Sequence, residues 1–287
     1  MRSRPLVRAV LAGAVIISAV LAGFAMLRPS RPAEQAPAEF NPARFVRERP
    51  DLDAAYVVTD YEVVDAMLAL AQIRPGDDVI DLGSGDGRIL IAAARSHGAH
   101  GLGVDIDPAR IRESNDNARA AGVTGRVEFR RQDLFTTPLG DAEVLTLYLS
   151  SEINRQLRPR ILAEMQPGAR VVSHDFDMGD WRADQRQAVG ASTVYLWIVP
   201  ARIAGNWTLT ANGRTATLAI DQSFQTFGGT ATAGDATARI EHGRIAGDRI
   251  RFVTDLGDGR RTYEGRVTGA AIEAVGTGPA WRAVRPG

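Results

Sequence analysis

Three glycines alternate with polar residues directly after a short apolar run. Residues 79–82 form the run and include Asp81; Gly83, Gly85 and Gly87 follow, and an apolar segment of helical character comes next. Glycines at such a strand-to-helix turn let the backbone approach a bound nucleoside closely, and an acid at the end of the next strand can bind ribose hydroxyls. The pattern therefore predicts a nucleoside-cofactor site in a doubly wound sheet.

The spacing of these glycines discriminates between cofactors. It is Gly-x-Gly-x-Gly with an acid two residues ahead of it, not the Gly-x-Gly-x-x-Gly of dinucleotide sites. S-adenosyl-L-methionine (SAM) has no pyrophosphate to place on a helix N-terminus, so the dinucleotide spacing is not needed. We therefore predict SAM as the cofactor and rank an NAD-dependent oxidoreductase far behind.

Cofactor contacts are predicted at the ends of successive strands. The glycine loop is expected to wrap the methionine part of SAM, with Asp81 or Asp86 facing its positive end. Asp105 ends the second apolar run and is expected to bind ribose, because Asp107 is the better N-cap for the following helix. The loop after the third strand is expected to lie over the adenine. The full predicted set is Tyr56, Thr59, Asp81, Gly83, Ser84, Gly85, Asp86, Gly87, Asp105, Ile106, Asp133 and Leu134.

The reacting methyl group is expected to border the loop after the fourth strand. Tyr148 is the candidate catalytic residue there, although Tyr is also a common strand former. His174 ends the fifth strand and is either a base or a packed or capping histidine. The four histidines, at 97, 100, 174 and 242, do not form a metal-ligand pattern, so no metal is predicted.

Composition excludes several functional classes. The 287 residues carry 34 basic and 34 acidic side chains, so no strongly basic surface for nucleic acid is implied. The absence of cysteine excludes disulfides, thiolate metal sites and a cysteine nucleophile. Every basic residue is arginine, and the chain contains no lysine.

The N-terminal part of the chain is predicted to be a membrane segment followed by a linker. Residues 9–27 carry no charge, and 19 apolar residues suffice to span a bilayer core. We favour an uncleaved anchor within residues 1–28 over a cleaved signal, because the segment is longer than a usual signal core. The arginines flanking it do not decide its orientation. Residues 29–52 are rich in Pro, Ala, Glu and Arg and are predicted to be a flexible linker.

Two domains are predicted after the linker. Residues 53–203 alternate strands with helices, which is typical of a mostly parallel sheet covered on both faces, a Rossmann-like α/β fold. A capping box of Thr59 and Glu62 is expected to start the first helix. Residues 204–287 alternate apolar and polar residues in about eight short runs separated by glycine turns. They predict a small antiparallel all-β domain, either barrel-like or sandwich-like.

The glycine motif, Asp105 and Asp133 together resemble the class I SAM-dependent methyltransferases. The narrower sequence 56–59, Tyr-Val-Val-Thr, followed by Asp-Leu-Gly-Ser-Gly-Asp-Gly-Arg at 81–88, is similar to one family of these enzymes. That family contains the mitochondrial lysine methyltransferases of the ATP synthase c-subunit and the adenine nucleotide translocator, with their bacterial and archaeal relatives. The resemblance covers residues 53–200. Val58 and Ser150-Ser151 stand where the family often has proline.

The predicted function is methyl transfer from SAM to an acceptor, which the resemblance suggests is a protein lysine near the membrane. A small-molecule or lipid acceptor is the first alternative, and an envelope binding module with a vestigial nucleotide fold is the second. Because SAM is a cytoplasmic cofactor, the catalytic domain is expected to be membrane-anchored and to face the cytoplasm; export after signal cleavage is the alternative.

Overall fold

A computed structural model describes residues 57–286. The predicted membrane segment at 1–28, the linker at 29–52 and the candidate cofactor residue Tyr56 lie outside the described residues. Within the described part of the chain, no helix is both long enough and apolar enough to cross a bilayer.

The first half of the described chain builds a seven-stranded sheet in the order β3-β2-β1-β4-β5-β7-β6. Strands β1 to β5 run parallel, and the hairpin β6–β7 adds an antiparallel edge. Strand β4 is buried along its whole length, as expected for a central parallel strand covered on both faces. The strands are β1 Asp78–Leu82, β2 His100–Asp105, β3 Val127–Arg131, β4 Val144–Leu147, β5 Arg170–His174, β6 Gln185–Val189 and β7 Ser192–Ile198.

Four helices cover the two faces of this sheet. Helices α1, α2 and α3 contribute to one apolar cluster with the sheet, and α4 contributes Ile153, Leu157 and Ile161 to a cluster that also contains Trp181 and Trp197. This arrangement confirms the predicted doubly wound α/β fold. The helices are α1 Tyr61–Leu70, α2 Arg88–Ala92 with a π-helical turn at Ala93–His97, α3 Pro108–Ala121 and α4 Ser151–Glu164.

The remaining residues form a closed eight-stranded antiparallel barrel in the order β10-β11-β12-β13-β14-β15-β8-β9. The predicted antiparallel all-β region is thereby confirmed, and closure selects the barrel-like alternative. The last strand pairs with the first, with Trp281 opposite Ala211. The strands are β8 Gly205–Ala211, β9 Arg214–Ser223, β10 Thr226–Ala233, β11 Ala236–Ala246, β12 Arg249–Asp255, β13 Arg260–Thr268, β14 Ala271–Ala274 and β15 Trp281–Val284.

Aromatic packing fills the barrel. The ring of Phe252 stacks on Tyr263 at 5.1 Å between centroids and meets Trp281 edge-on at 6.0 Å. Trp207 is fully buried and donates its indole N–H to the carbonyl oxygen of Ile203 at 2.7 Å. Aromatic rings whose polar atoms are hydrogen-bonded let a domain of this size bury a large apolar area.

The barrel contacts the sheet-containing half through the turn between β9 and β10. Phe224 stacks against Trp181 with 6.0 Å between ring centroids, and the Arg158 guanidinium lies 5.2 Å from the same ring. Beside it, the Gln225 amide donates to the carbonyl oxygen of Arg182 at 2.7 Å. The turn therefore packs on the segment that follows β5, with one further contact from α4.

The predicted start of the first helix is wrong in detail. Asp60, not Thr59, is the N-cap of α1, and it makes no side-chain capping hydrogen bond. The Thr59 hydroxyl instead contacts the Nδ1 atom of His174 at 3.2 Å. A partner 115 residues away in sequence displaced the local capping interaction that the pattern indicated.

Gly229 is a position at which the barrel tolerates no side chain. Its φ is +127°, and a Cβ there would lie 1.9 Å from the Ala219 carbonyl oxygen. We expect Gly229→Ala to lower the free energy of unfolding by about 2 kcal/mol or more. The neighbouring Gly228→Ala is the matched control, since its Cβ would only contact Ile240 at 3.7 Å. Urea unfolding followed by tryptophan fluorescence measures both; equal stability of the two variants would contradict the assignment.

Candidate active site

A pocket opens at the carboxyl ends of the central strands. The strand order reverses between β1 and β4, and this switch point is where open α/β sheets bind ligands. All the predicted site residues described by the structure line the pocket except Gly87. The lining includes Thr59, Asp81, Gly83, Ser84, Gly85, Asp86, Asp105, Ile106, Asp133, Leu134 and Tyr148. Gly87 instead forms the N-cap of α2 at the base of the same loop.

The glycine loop needs its glycines for backbone conformation. Gly83, Gly85 and Gly87 have φ values of 80°, 53° and 81°, which L-residues with a Cβ adopt only at a cost. At Gly87 a Cβ would also lie 2.5 Å from the ring of Phe129. The loop therefore turns tightly from β1 into α2, and its first residues, Gly83 to Asp86, line the pocket.

Asp81 is a carboxylate buried at the base of the pocket. It is 2% exposed, and its Oδ1 accepts a hydrogen bond from the Thr146 hydroxyl at 2.7 Å. Burial, with smaller contributions from the nearby Asp105 and Asp86, raises the pKa of Asp81 to about 7 against the lowering effect of the Thr146 hydrogen bond. A carboxyl in this position favours a bound cation, because a cation restores the charge that burial suppresses.

Asp86 is engaged by an arginine. The Arg88 guanidinium donates to both Asp86 oxygens, at 3.0 Å from Nε and 2.6 Å from Nη2, and also to the Thr59 carbonyl oxygen at 2.8 Å. The sequence left Asp81 and Asp86 as alternatives for the residue that faces the positive end of SAM. Because Arg88 already pairs with Asp86, the geometry favours Asp81. Asp86 serves to tie the glycine loop to the segment before α1.

Asp105 connects two loops of the pocket. Its Oδ2 accepts from the Gly85 amide at 3.1 Å, and its Oδ1 accepts from the Asp107 amide at 2.9 Å. The carboxylate therefore also holds these two loops together. The sequence-based assignment to ribose did not include this structural role. Asp107 does cap α3 by accepting from the Ala109 amide, as predicted. Burial raises the pKa of Asp105, against the lowering by its two backbone donors.

Asp133 and Leu134 line the pocket from the loop after β3. Asp133 accepts from the Phe135 amide at 2.8 Å and so caps the short 3₁₀ turn Leu134–Thr136. Several lining residues were not among the predicted set, and the polar ones include Arg110 and Gln132. Gln132 directly precedes Asp133, so its position was accessible from sequence. Arg110 lies in the first turn of α3, and no sequence signal marked it.

Tyr148 lies at the end of the fourth strand with His174 behind it. The two rings stack at 3.8 Å between centroids with an interplanar angle of 25°. Burial, with Asp175 and Asp60 nearby, raises the pKa of Tyr148, so the phenol keeps its proton at neutral pH. Tyr148 can therefore donate or accept a hydrogen bond there, but it does not act as a phenolate base.

The pocket residues fit SAM. The Ser84 hydroxyl is buried and has no hydrogen-bond partner within residues 57–286, which leaves a donor and acceptor for a ligand. The carboxyl of Asp81 suits the ammonium or sulfonium of SAM. Apolar Ile106 and Leu134 line the same pocket and suit an adenine ring.

Comparison with known proteins identifies the sequence relatives. The sequence model of the ANTKMT methyltransferase domain matches residues 81–185. A protein-lysine N-methyltransferase of Saccharolobus islandicus is 38% identical over 149 residues, covering 50% of this chain and 92% of the relative. The mouse adenine nucleotide translocase lysine N-methyltransferase is 32% identical over 146 residues, which cover 51% of this chain but 62% of that enzyme.

A solved structure extends the comparison to the fold. The Salinibacter ruber protein described as an RNA methyltransferase, crystallised with S-adenosyl-L-homocysteine, is 49% identical over 51% of this chain and 96% of its own length, with a TM-score of 0.50. The fold, the pocket and these matches define a SAM-dependent methyltransferase, and SAM is its cofactor. More narrowly, the chain belongs to the family of protein-lysine N-methyltransferases represented by the archaeal enzyme.

The buried carboxyl of Asp81 gives the ligand-free protein a specific pH dependence. Folded Asp81 keeps its proton up to about pH 7, whereas an unfolded aspartate loses it near pH ~3.9. The free energy of unfolding should therefore fall as pH rises from about 4 to about 7, by up to about 1.4 kcal/mol per pH unit. Asp81→Asn lacks this fall, so its stability advantage over wild type should grow between pH 5 and pH 8.

Urea unfolding at the two pH values measures this difference. Asp235→Asn, which removes an exposed carboxylate in the turn between β10 and β11, is the control for losing one negative charge. An advantage of Asp81→Asn that is the same at pH 5 and pH 8 would show that Asp81 is ionised in the folded protein throughout.

Proposed function

We propose that the protein transfers the methyl group of SAM to the amine of a lysine in a protein substrate. The observation that carries the proposal is the 38% identity to an archaeal protein-lysine N-methyltransferase over 92% of that enzyme. In the pocket, Asp81 is proposed to hold the positive end of the cofactor's methionine part, Asp105 its ribose, and Asp133 with Leu134 its adenine.

Bound SAM supplies an electrophilic methyl group on a sulfonium. What the chain contributes is alignment of that methyl with the acceptor and exclusion of water around it. A lysine amine must be neutral to attack, and its unperturbed pKa is ~10.4. Entry into the partly apolar mouth beside Tyr148 disfavours the charged amine, and the protonated phenol can accept a hydrogen bond from the amine that remains.

Charge around Tyr148 supports a cationic acceptor. Asp175 and Asp60 both act electrostatically on the Tyr148 phenol and lie on two different segments of the chain. Carboxylates at this position attract an approaching ammonium and repel phosphate groups. This sign of charge favours a lysine over a nucleic acid as the methyl acceptor.

A second candidate acceptor is RNA. The observation in its favour is the 49% identity to the Salinibacter ruber RNA methyltransferase, which exceeds the identity to the archaeal lysine enzyme. A lipid or small-molecule acceptor would require the same cofactor. The experiment that distinguishes RNA from protein also distinguishes these acceptors.

Transfer of labelled methyl identifies the acceptor class. The full chain is incubated with tritiated-methyl SAM and cell fractions, and the label is tested for release by protease, by ribonuclease and by organic extraction. We expect protease-sensitive label that yields methyl-lysine on hydrolysis. Because the enzyme contains no lysine, none of that product can come from the enzyme itself. Ribonuclease-sensitive or extractable label would instead support RNA or lipid.

Asp105→Ala is the control for cofactor-dependent label. Loss of its carboxylate removes hydrogen bonds that ribose hydroxyls would make, and we expect SAM affinity to fall about 100-fold or more with a native circular dichroism spectrum. Unchanged affinity in this variant would remove Asp105 from the ribose assignment.

We further propose that the protein is anchored by residues 9–27 with its catalytic part in the cytoplasm, where SAM is available. The support is the uncharged 19-residue run in the sequence. A C-terminal green fluorescent protein fusion should then fluoresce, and a C-terminal alkaline phosphatase fusion should be inactive. The opposite pair of results would favour export.

A further inference from the structure

His174 lies at the centre of a hydrogen-bonded chain that reaches from the pocket to the surface. Its Nδ1 is 3.2 Å from the Thr59 hydroxyl, and its Nε2 is 2.9 Å from the Ser192 hydroxyl. Ser192 in turn donates to Asp175 Oδ2 at 3.3 Å. Thr59 is 3% exposed and lines the pocket, whereas Asp175 is at the protein surface.

The carboxylate fixes the direction of this chain. An ionised carboxylate only accepts, and Asp175 Oδ2 lies 3.3 Å from both the Ser192 hydroxyl and Nε2 of His174. Both atoms therefore direct a hydrogen towards this carboxylate, and the Ser192 oxygen also accepts from Nε2–H. Nδ1 is then the acceptor on the imidazole, and it takes the hydrogen of the Thr59 hydroxyl. With that hydrogen committed to His174, the lone pairs of the Thr59 oxygen are left for the pocket.

The imidazole is held neutral and fixed in place. Burial lowers the pKa of His174, against the raising effect of Asp175, the residue directly after β5, and of Asp60 before α1. Tyr148 stacks on the ring face, so the same side chain also supports the phenol from behind. Within residues 57–286, Asp60, Asp175 and Tyr148 are the titratable groups that act on or contact this ring.

We propose that His174 is a positioning residue, which turns the Thr59 oxygen into a hydrogen-bond acceptor for the methyl-accepting amine. The inference rests on the proposed function and adds a specific contact to it. It assigns the acceptor side of the pocket a preference for a nucleophile that carries a hydrogen to donate, such as an amine, over a carbon nucleophile.

Binding of two cofactor analogues tests this role without a known substrate. Sinefungin carries an amine-bearing carbon where SAM has its methylated sulfonium, and S-adenosylhomocysteine has only the thioether sulfur there. In wild type, sinefungin should gain affinity over S-adenosylhomocysteine from the Thr59 oxygen. His174→Phe keeps a ring stacked on Tyr148 but removes both nitrogens, and it should reduce the ratio of sinefungin affinity to S-adenosylhomocysteine affinity about tenfold.

A double variant tests the direction of the chain separately. Ser192→Ala with Asp175→Asn leaves His174 in place but removes the hydroxyl and the charge that hold its Nε2–H tautomer. The Thr59 hydrogen can then point into the pocket, so the same tenfold reduction is expected. Asp60→Asn removes the other carboxylate that acts on Tyr148 and His174 but leaves Ser192 and Asp175 in place, so it is the matched control for lost charge and should reduce the ratio less.

Nitrogen-15 spectra of the histidines give a second readout. The His174 resonances, identified by their loss in His174→Phe, should show the neutral Nε2–H tautomer in wild type at pH 7. An unchanged affinity ratio in both variants, or an Nδ1–H tautomer in wild type, would overturn the role of His174 while leaving the methyltransferase assignment intact. Failure of wild type to bind S-adenosylhomocysteine at all would overturn that assignment, and this inference with it.

Discussion

The buried carboxyl of Asp81 is the constraint on which the pocket depends. A charge at the base of a sheet is costly without a partner, and the Thr146 hydroxyl compensates for it only in part. The other acid in the glycine loop, Asp86, is held by Arg88, so Asp81 is left for the ligand. The same burial that weakens the ligand-free protein at high pH strengthens the attraction for a cationic cofactor.

Around this carboxyl, the rest of the site is held by contacts between loops. Asp105 joins the glycine loop to the loop before α3, Arg88 joins it to the segment before α1, and His174 joins that segment to the end of the fifth strand. The barrel supports the segment after the fifth strand through Phe224 and Gln225. Cofactor side and acceptor side are thus connected through a small number of buried polar groups.

Sequence patterns predicted the elements well because the signals were local. Buried strands, helix caps such as Asp107 and the glycine turns each depend on a few adjacent residues, and the alternation after residue 200 was enough to indicate the antiparallel strands. Barrel closure and the pairing of Thr59 with His174 depend on residues far apart in sequence, which no local pattern records. Thr59 was accordingly assigned to a capping box, and the loop-connecting role of Asp105 was not anticipated.

The central claim is that cofactor binding ionises Asp81. Calorimetric titration of the full chain with S-adenosylhomocysteine at pH 6.5, in two buffers of different ionisation enthalpy, measures this directly. Since the pKa of Asp81 is about 7 in the free protein, binding should release a large fraction of one proton, and the apparent binding enthalpy should differ between the buffers. Tight binding with the same enthalpy in both buffers would contradict the ionisation of Asp81. Absence of binding would contradict the assignment of the pocket to SAM.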